Sequence, residues 1–173
     1  MLKIHKLFFR SFLLVFLLTV FTITFVVYFW AKSLYLKEIK INLSQNIDAF
    51  LVLFDKNSMS DAKNTINNLG EKLNLRVSLI DENGYLIADS EDFELYENHL
   101  NRQEIKEAKN GSFSSYLRFS KSLKKEQLYV AKMFKLEDKS YFIRMSDFTN
   151  KIFENFKKLI LEILLYILLF LSI

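Results

Sequence analysis

RVSLIDENGYLIADS, residues 76–90, is the stretch on which the fold turns. From Leu75 the pattern has a period of two, and RVSLID and YLIADS both read as strands. Glu82-Asn83-Gly84 lies between them, and that turn chemistry closes a β-hairpin. Downstream, Glu91 to Leu100 reads as a polar loop. Asn101 is placed to cap a short helix, RQEIKEAKN, which Gly111 ends in the C′ position. Three more strands are expected in SFSSYLRFS, QLYVAKMFK and KSYFIRMS, with KSLKKE and LEDK as turns.

Upstream of the hairpin the spacing is helical. Leu36, Ile39, Leu43, Ile47, Phe50 and Phe54 recur every three or four residues, the stripe of one helical face. Ser58 to Asp61 breaks that helix, with Ser60 as the expected N-cap of a second one bearing Ala62, Ile66, Leu69 and Leu73 on one face. From Thr149 the chain turns helical again. This order predicts an α+β fold, a five-stranded antiparallel sheet with a long N-terminal helix and its helices packed on one side. That is the arrangement of PAS-like extracytoplasmic sensor domains.

Two apolar segments bracket this domain. Ser11 to Ala31 holds 21 residues without a formal charge, fourteen of them Leu, Ile, Val or Phe. A helix of that length spans about 31 Å, the thickness of a hydrocarbon core, and its insertion is favourable by roughly 4–8 kcal/mol. Tyr28 and Trp30 mark one interface. Lys3, Lys6 and Arg10 flank the other end and place the N-terminus in the cytoplasm. LILEILLYILLFLSI, residues 159–173, would reach only about 22 Å and carries Glu162 one turn inside. It reads as a second span, entered from outside and cut short. The expected organisation is a cytoplasmic N-terminus at 1–10, transmembrane helix 1 at 11–31, an extracytoplasmic domain at 32–150, and an exit helix with a truncated second span at 151–173. This makes a multi-pass protein of the bacterial cytoplasmic (inner) membrane.

Composition excludes several functions. With no Cys there are no disulfides, thiolate metal sites or thiol nucleophiles. The net charge of +4 is scattered, which leaves no nucleic-acid footprint. The three glycines are too far apart to cradle a phosphate, and no nucleophile has a base partner by motif, so no catalytic residue is assigned. His5 precedes the first span and cannot join His99, which is expected to be a hydrogen-bonded structural residue of its loop.

Two candidate sites stand out. Tyr116 and Arg118 share a strand face, with Tyr129 on the partner strand and Arg144 on the last. Two guanidiniums beside two phenols suit a carboxylate or phosphate, the alternative being solvent-facing strand residues and cross-strand pairs. The acidic run Asp89, Glu91, Asp92, Glu94 and Glu97 offers oxygens to a hard cation, against the alternative of a solvated loop. The Leu36–Phe54 stripe is the candidate dimer and signalling helix, against the alternative that the domain's own core uses it.

RVSLIDENGYLIADS, ENHLNRQEIKEAKNG (97–111) and LRFSKSLKKEQLYVA (117–131) resemble, in order and spacing, the sensor portion of PhoR-like histidine kinases. From Arg76 to Ala131 these strings span about 55 residues of the 173. Gln103 stands where that family usually has Pro. The resemblance implies a homodimeric receptor that detects an extracytoplasmic signal and passes it through the membrane to a histidine kinase for phosphorelay to a response regulator. ATP and Mg would belong to that kinase portion, which this sequence lacks, and no cofactor is expected here. The alternatives are a chemotaxis receptor, a cyclic-dinucleotide enzyme, and a non-signalling membrane scaffold that binds a partner.

Overall fold

The computed structural model describes residues 2–55, 59–91, 98–120 and 124–171. The chain divides into two compact units, 1–35 with 154–173, and 36–153. Helix α1 covers Leu2–Leu53. Within its first unit the apolar side chains from Ile4 to Trp30 are largely exposed. Among the described residues it is the one helix long and apolar enough to cross a membrane. Helix α4, Asn150–Leu171, is 22 residues long, and Tyr28 meets Phe156 edge-on at 5.0 Å inside the first unit.

The second unit is built on one sheet. Its elements run α1 (to Leu53), α2 (Ala62–Leu73), β1 (Arg76–Asp81), β2 (Leu86–Asp89), α3 (Gln103–Ala108), β3 (Ser114–Ser120), β4 (Lys125–Leu136) and β5 (Lys139–Phe148). The strand order is β2-β1-β5-β4-β3, with every pairing antiparallel. Hydrophobic periodicity sets one face. Ile39, Leu43, Ile47, Phe50 and Phe54 of α1 are all buried, as is Ile66 of α2. They lie on the side toward which Val77, Leu79, Val130, Ile143 and Met145 point. Phe54 meets Phe134 edge-on, and Asp48 accepts a 2.8 Å bond from Lys132, both partners standing on that side of β4.

The helices do not all pack on one side of the sheet, as the element order had suggested. Helix α3 covers the opposite face, where Ile105 and Ala108 join Ile80, Leu86, Ala131 and Phe142 in a second core. The physical reason is that the central strands carry apolar residues on both faces, so one layer of helices would leave half of them wet. Smaller differences concern caps. The N-cap of α2 is Asp61, one residue after Ser60, and that of α3 is Arg102, one after Asn101. Strands β4 and β5 also extend beyond the expected runs.

Within one chain, the stripe offered as the dimer and signalling helix packs into the domain's own core. Five of its six residues belong to the core and Leu36 is half-buried.

Candidate functional site

The sheet face beneath α3 is where polar chemistry gathers. Alternation places Ser78 of β1, Asp89 at the end of β2, Arg144 of β5, Tyr129 of β4 and Arg118 of β3 on that one face. The register confirms it, since Ser78 pairs with both Asp89 and Arg144, and Gln127 pairs with Arg118. Two further groups come from above. Helix α3 lowers Glu104. The β1–β2 turn holds the segment carrying His99 through Gly84, whose φ is +88°. Gly84 O accepts the His99 amide at 2.7 Å, and Asn98 Nδ2 donates to Asn83 O at 2.9 Å. A Cβ on Gly84 would come within 2.6 Å of the Leu100 nitrogen, so only glycine allows this approach.

Arg144 is the centre, with 2% of its surface exposed. Its Nη2 donates to Ser78 Oγ at 3.0 Å, and Ser78 Oγ in turn donates to Asp89 Oδ2 at 2.9 Å. Its Nη1 lies 3.1 Å from His99 Nδ1 and 3.5 Å from Glu104 Oε1. Because a guanidinium only donates, the geometry assigns His99 Nδ1 as acceptor and makes the ring neutral. Burial, then the charges of Arg144 and other nearby arginines, holds the His99 pKa down to about 3. Burial also pulls Arg144 downward, against the support of Glu104.

Around this centre the charges interlock. Arg76 contacts both oxygens of Asp89 at 3.0–3.3 Å, a bidentate pair. Arg118 stacks over the Tyr129 ring at 4.2 Å and approaches Glu104 Oε1 at 3.7 Å. The Tyr129 hydroxyl donates to Gln127 Oε1 at 2.6 Å. Glu104 Oε1 therefore sits between two guanidiniums at long range. Its Oε2, fully buried, has no hydrogen-bond partner among the described residues.

The structure brings together Arg118, Tyr129 and Arg144 of the expected four-residue site. Tyr129 and Arg144 are buried, so the reading of them as solvent-facing strand residues is set aside. Tyr116 shares their face opposite Tyr129 but is 45% exposed. The acidic run is divided. Asp89 is buried against Arg76 and Ser78, and Glu91 lies 3.6 Å from Arg76. Asp92, Glu94 and Glu97 fall outside the described residues. His99, Glu104, Ser78 and Arg76 were not foreseen in the site. The one available signal was Ser78, a lone hydroxyl within an apolar hairpin strand.

Chemically, the cluster suits recognition more than bond-making. The Ser78 hydroxyl both accepts and donates within the network. Neutral His99 is held by a guanidinium instead of facing a nucleophile. Arg118 is the partly exposed cation of the set, with 23% of its side chain open.

No family model matches the sequence, and no curated protein does. Solved structures are similar in fold. The sensor domain of the V. cholerae histidine kinase DctB is 14% identical, with a TM-score of 0.50 over 74% of this chain and 57% of that one. The ligand-binding domain of the Campylobacter jejuni chemoreceptor Tlp3 is 12% identical, with a TM-score of 0.48 over 70% and 61%. The chain thus spans less than two thirds of the length of either. The domain of a putative sensory box/GGDEF family protein from Vibrio parahaemolyticus, at 13% identity, has a TM-score of 0.45 over 69% of this chain and 57% of that one. The five-stranded antiparallel sheet with its long N-terminal helix is a PAS-like fold, matched by the DctB sensor domain.

Proposed function

We propose that this chain is the signal-sensing input module of a bacterial membrane receptor, most closely of the PhoR-like histidine-kinase type. The observation that carries the reading is the dual character of α1. Its first part presents apolar side chains all round, an exposure that suits lipid and not water. Its later part buries one stripe in the core of a PAS-like unit. A single helix therefore belongs to both a membrane anchor and a sensor.

In this reading Lys3, Lys6 and Arg10 keep the N-terminus in the cytoplasm, and the unit 36–153 lies outside it. Helix α4 returns into the bilayer. The module acts as a homodimer, and the kinase portion with its ATP and Mg lies beyond this chain, where it phosphorylates a response regulator. A chemoreceptor or cyclic-dinucleotide output would use the same input.

The polar face is the receiver. Helix α3 is held to the sheet by Glu104 through two ion contacts of 3.5 and 3.7 Å, and an anionic ligand competing for Arg118 would weaken that hold. The opposite face, packed on α1, is the transmitter. A ligand shifts the balance only by its differential affinity for the two arrangements.

The absence of native cysteine supplies the test. Lys109→Cys follows α3 and Lys6→Cys precedes the apolar stretch. A membrane-impermeant maleimide applied to intact spheroplasts is expected to label the first and spare the second until lysis. Labelling of Lys6→Cys alone, or of neither, would overturn the reading.

A further inference from the structure

At the end of the sheet where α2 leads into β1 and β5 leaves, the unit 36–153 contains a cavity of about 370 Å³. This lies in the range of small-molecule sites. Gln127 and Ser146, both buried, form polar parts of its wall, and Asn67, Glu71, Glu91 and Asp147 complete the polar lining used here. It is separate from the Arg144–Glu104–His99 centre, none of whose three members lines it.

The lining is unbalanced toward acceptors. Asn67 Oδ1 and Glu91 Oε2 are buried atoms with no hydrogen-bond donor among the described residues. Buried acceptors left without donors cost free energy that an occupant can recover. Three carboxylates border the cavity against one cation, Arg76, whose guanidinium binds both oxygens of Asp89 and reaches Glu91 Oε2 only at 3.6 Å. The C-terminus of α2 adds the negative end of its helix dipole, for Asn74 closes the helix there in the left-handed conformation, with φ 52°. Burial raises the pKa of Glu91 even though Arg76, 3.6 Å from its Oε2, pulls it down.

We propose that this cavity is a second binding site, for a small organic cation that presents N–H donors, an alkylammonium or alkylguanidinium. Its N–H groups satisfy Asn67 Oδ1 and Glu91 Oε2, and its charge is matched by Glu91 and Asp147. A bare divalent ion does not fit, because no three His, Asp or Glu come together as metal ligands among the described residues. Gly70 sets the shape of the site, since a Cβ there would stand 2.3 Å from Ser90 Cβ, so α2 lies directly against the end of β2. The site does not depend on the receptor reading or on membrane orientation.

The test is calorimetric titration of the full chain in nanodiscs with 1,4-diaminobutane and with n-butylguanidinium, using 1,4-butanediol as the uncharged counterpart. The expected result is saturable binding of at least one cation, no binding of the diol, and at least tenfold weaker binding in Glu91→Gln/Asp147→Asn. Asn67→Ala, which leaves every charge in place, is expected to weaken binding severalfold and serves if the double variant does not fold. Failure of both cations to bind at 10 mM, equal binding of the diol, or unchanged affinity in the variants that fold would overturn the proposal.

Discussion

Ile143 and Arg144 are neighbours on β5, both fully buried, and they face opposite sides of one sheet. Ile143 points toward the side packed by α1, where shape and apolar area hold the structure together. Arg144 points toward α3, where, beside the apolar cluster around Ile105, the guanidinium is held by hydrogen bonds, ion contacts and the Tyr129 ring. The difference teaches how one sheet can be firm on one side and responsive on the other. Apolar packing is insensitive to ligands and to pH. A buried guanidinium shared among Ser78, His99, Glu104 and Asp89 depends on every partner staying in place.

The sharpest way to break this comparison is to remove Arg144. Arg144→Ala leaves Glu104 and Asp89 buried with less cationic support, and a loss of about 3–5 kcal/mol is expected. Chemical denaturation of the full chain in nanodiscs measures it. The double variant Arg144→Met/Glu104→Met, which removes both charges, should recover a substantial part of that loss. If the double variant is as unstable as the single one, charge pairing is not what holds the α3 face.

On the other face, Ile143→Ala should cost about 2–5 kcal/mol through lost burial and a cavity. That cost should be the same at pH 5 and pH 8. A pH-dependent cost would contradict the division of labour between the faces.

The third test concerns His99. Its pKa in the folded protein is held at about 3, well under the ordinary value of 6.5. Between those values the unfolded chain takes up a proton that the folded one refuses. Stability from this group is therefore intact above about pH 6.5 and falls as pH drops, by up to about 1.4 kcal/mol per pH unit, until about pH 3. Denaturation across pH 7 to 4 should show a shallower decline in His99→Gln than in the parent. Parallel curves would mean that the imidazole takes up its proton equally in the folded and unfolded states.

The smallest effect is expected at the surface of the α1 face. Lys132 and Asp48 form a 2.8 Å pair but remain partly exposed, at 25% and 55% of their side chains. Lys132→Ala should change stability by no more than about 1 kcal/mol, and the change should shrink in high salt.

Much of the fold could be read from the residues, because its periods are clean. The three-and-four spacing from Leu36 to Phe54 and the Glu-Asn-Gly turn before Tyr85 each point to one local structure. Gly111, at φ +81°, ends the α3 region as expected. What could not be read was pairing across the sheet. Asp89, Glu104 and Arg144 are 15 and 40 residues apart along the chain, and only the strand register and the docking of α3 bring Asp89 and Glu104 within 4 Å of Arg144. Asp89 therefore looked like the start of a cation-binding run when it is a ligand of arginine. The second helical layer had a signal that the alternation rule concealed. Leu128, Tyr129, Val130 and Ala131 form an unbroken apolar run, which marks a strand covered on both faces. The α2 cap moved by one residue because Ser60 and Asp61 are both competent caps, and local chemistry does not choose between them.

Hydrogen–deuterium exchange on the full chain in nanodiscs tests the central claim most directly, that α3 belongs to a responsive face and α1 to a firm one. The account predicts that amides of Gln103–Ala108 exchange at least a hundredfold faster than those of Ile39–Phe50, and that Arg118→Ala widens the gap by removing one of the two contacts on Glu104. Equal protection of the two helices, or a gap that Arg118→Ala leaves unchanged, would contradict it.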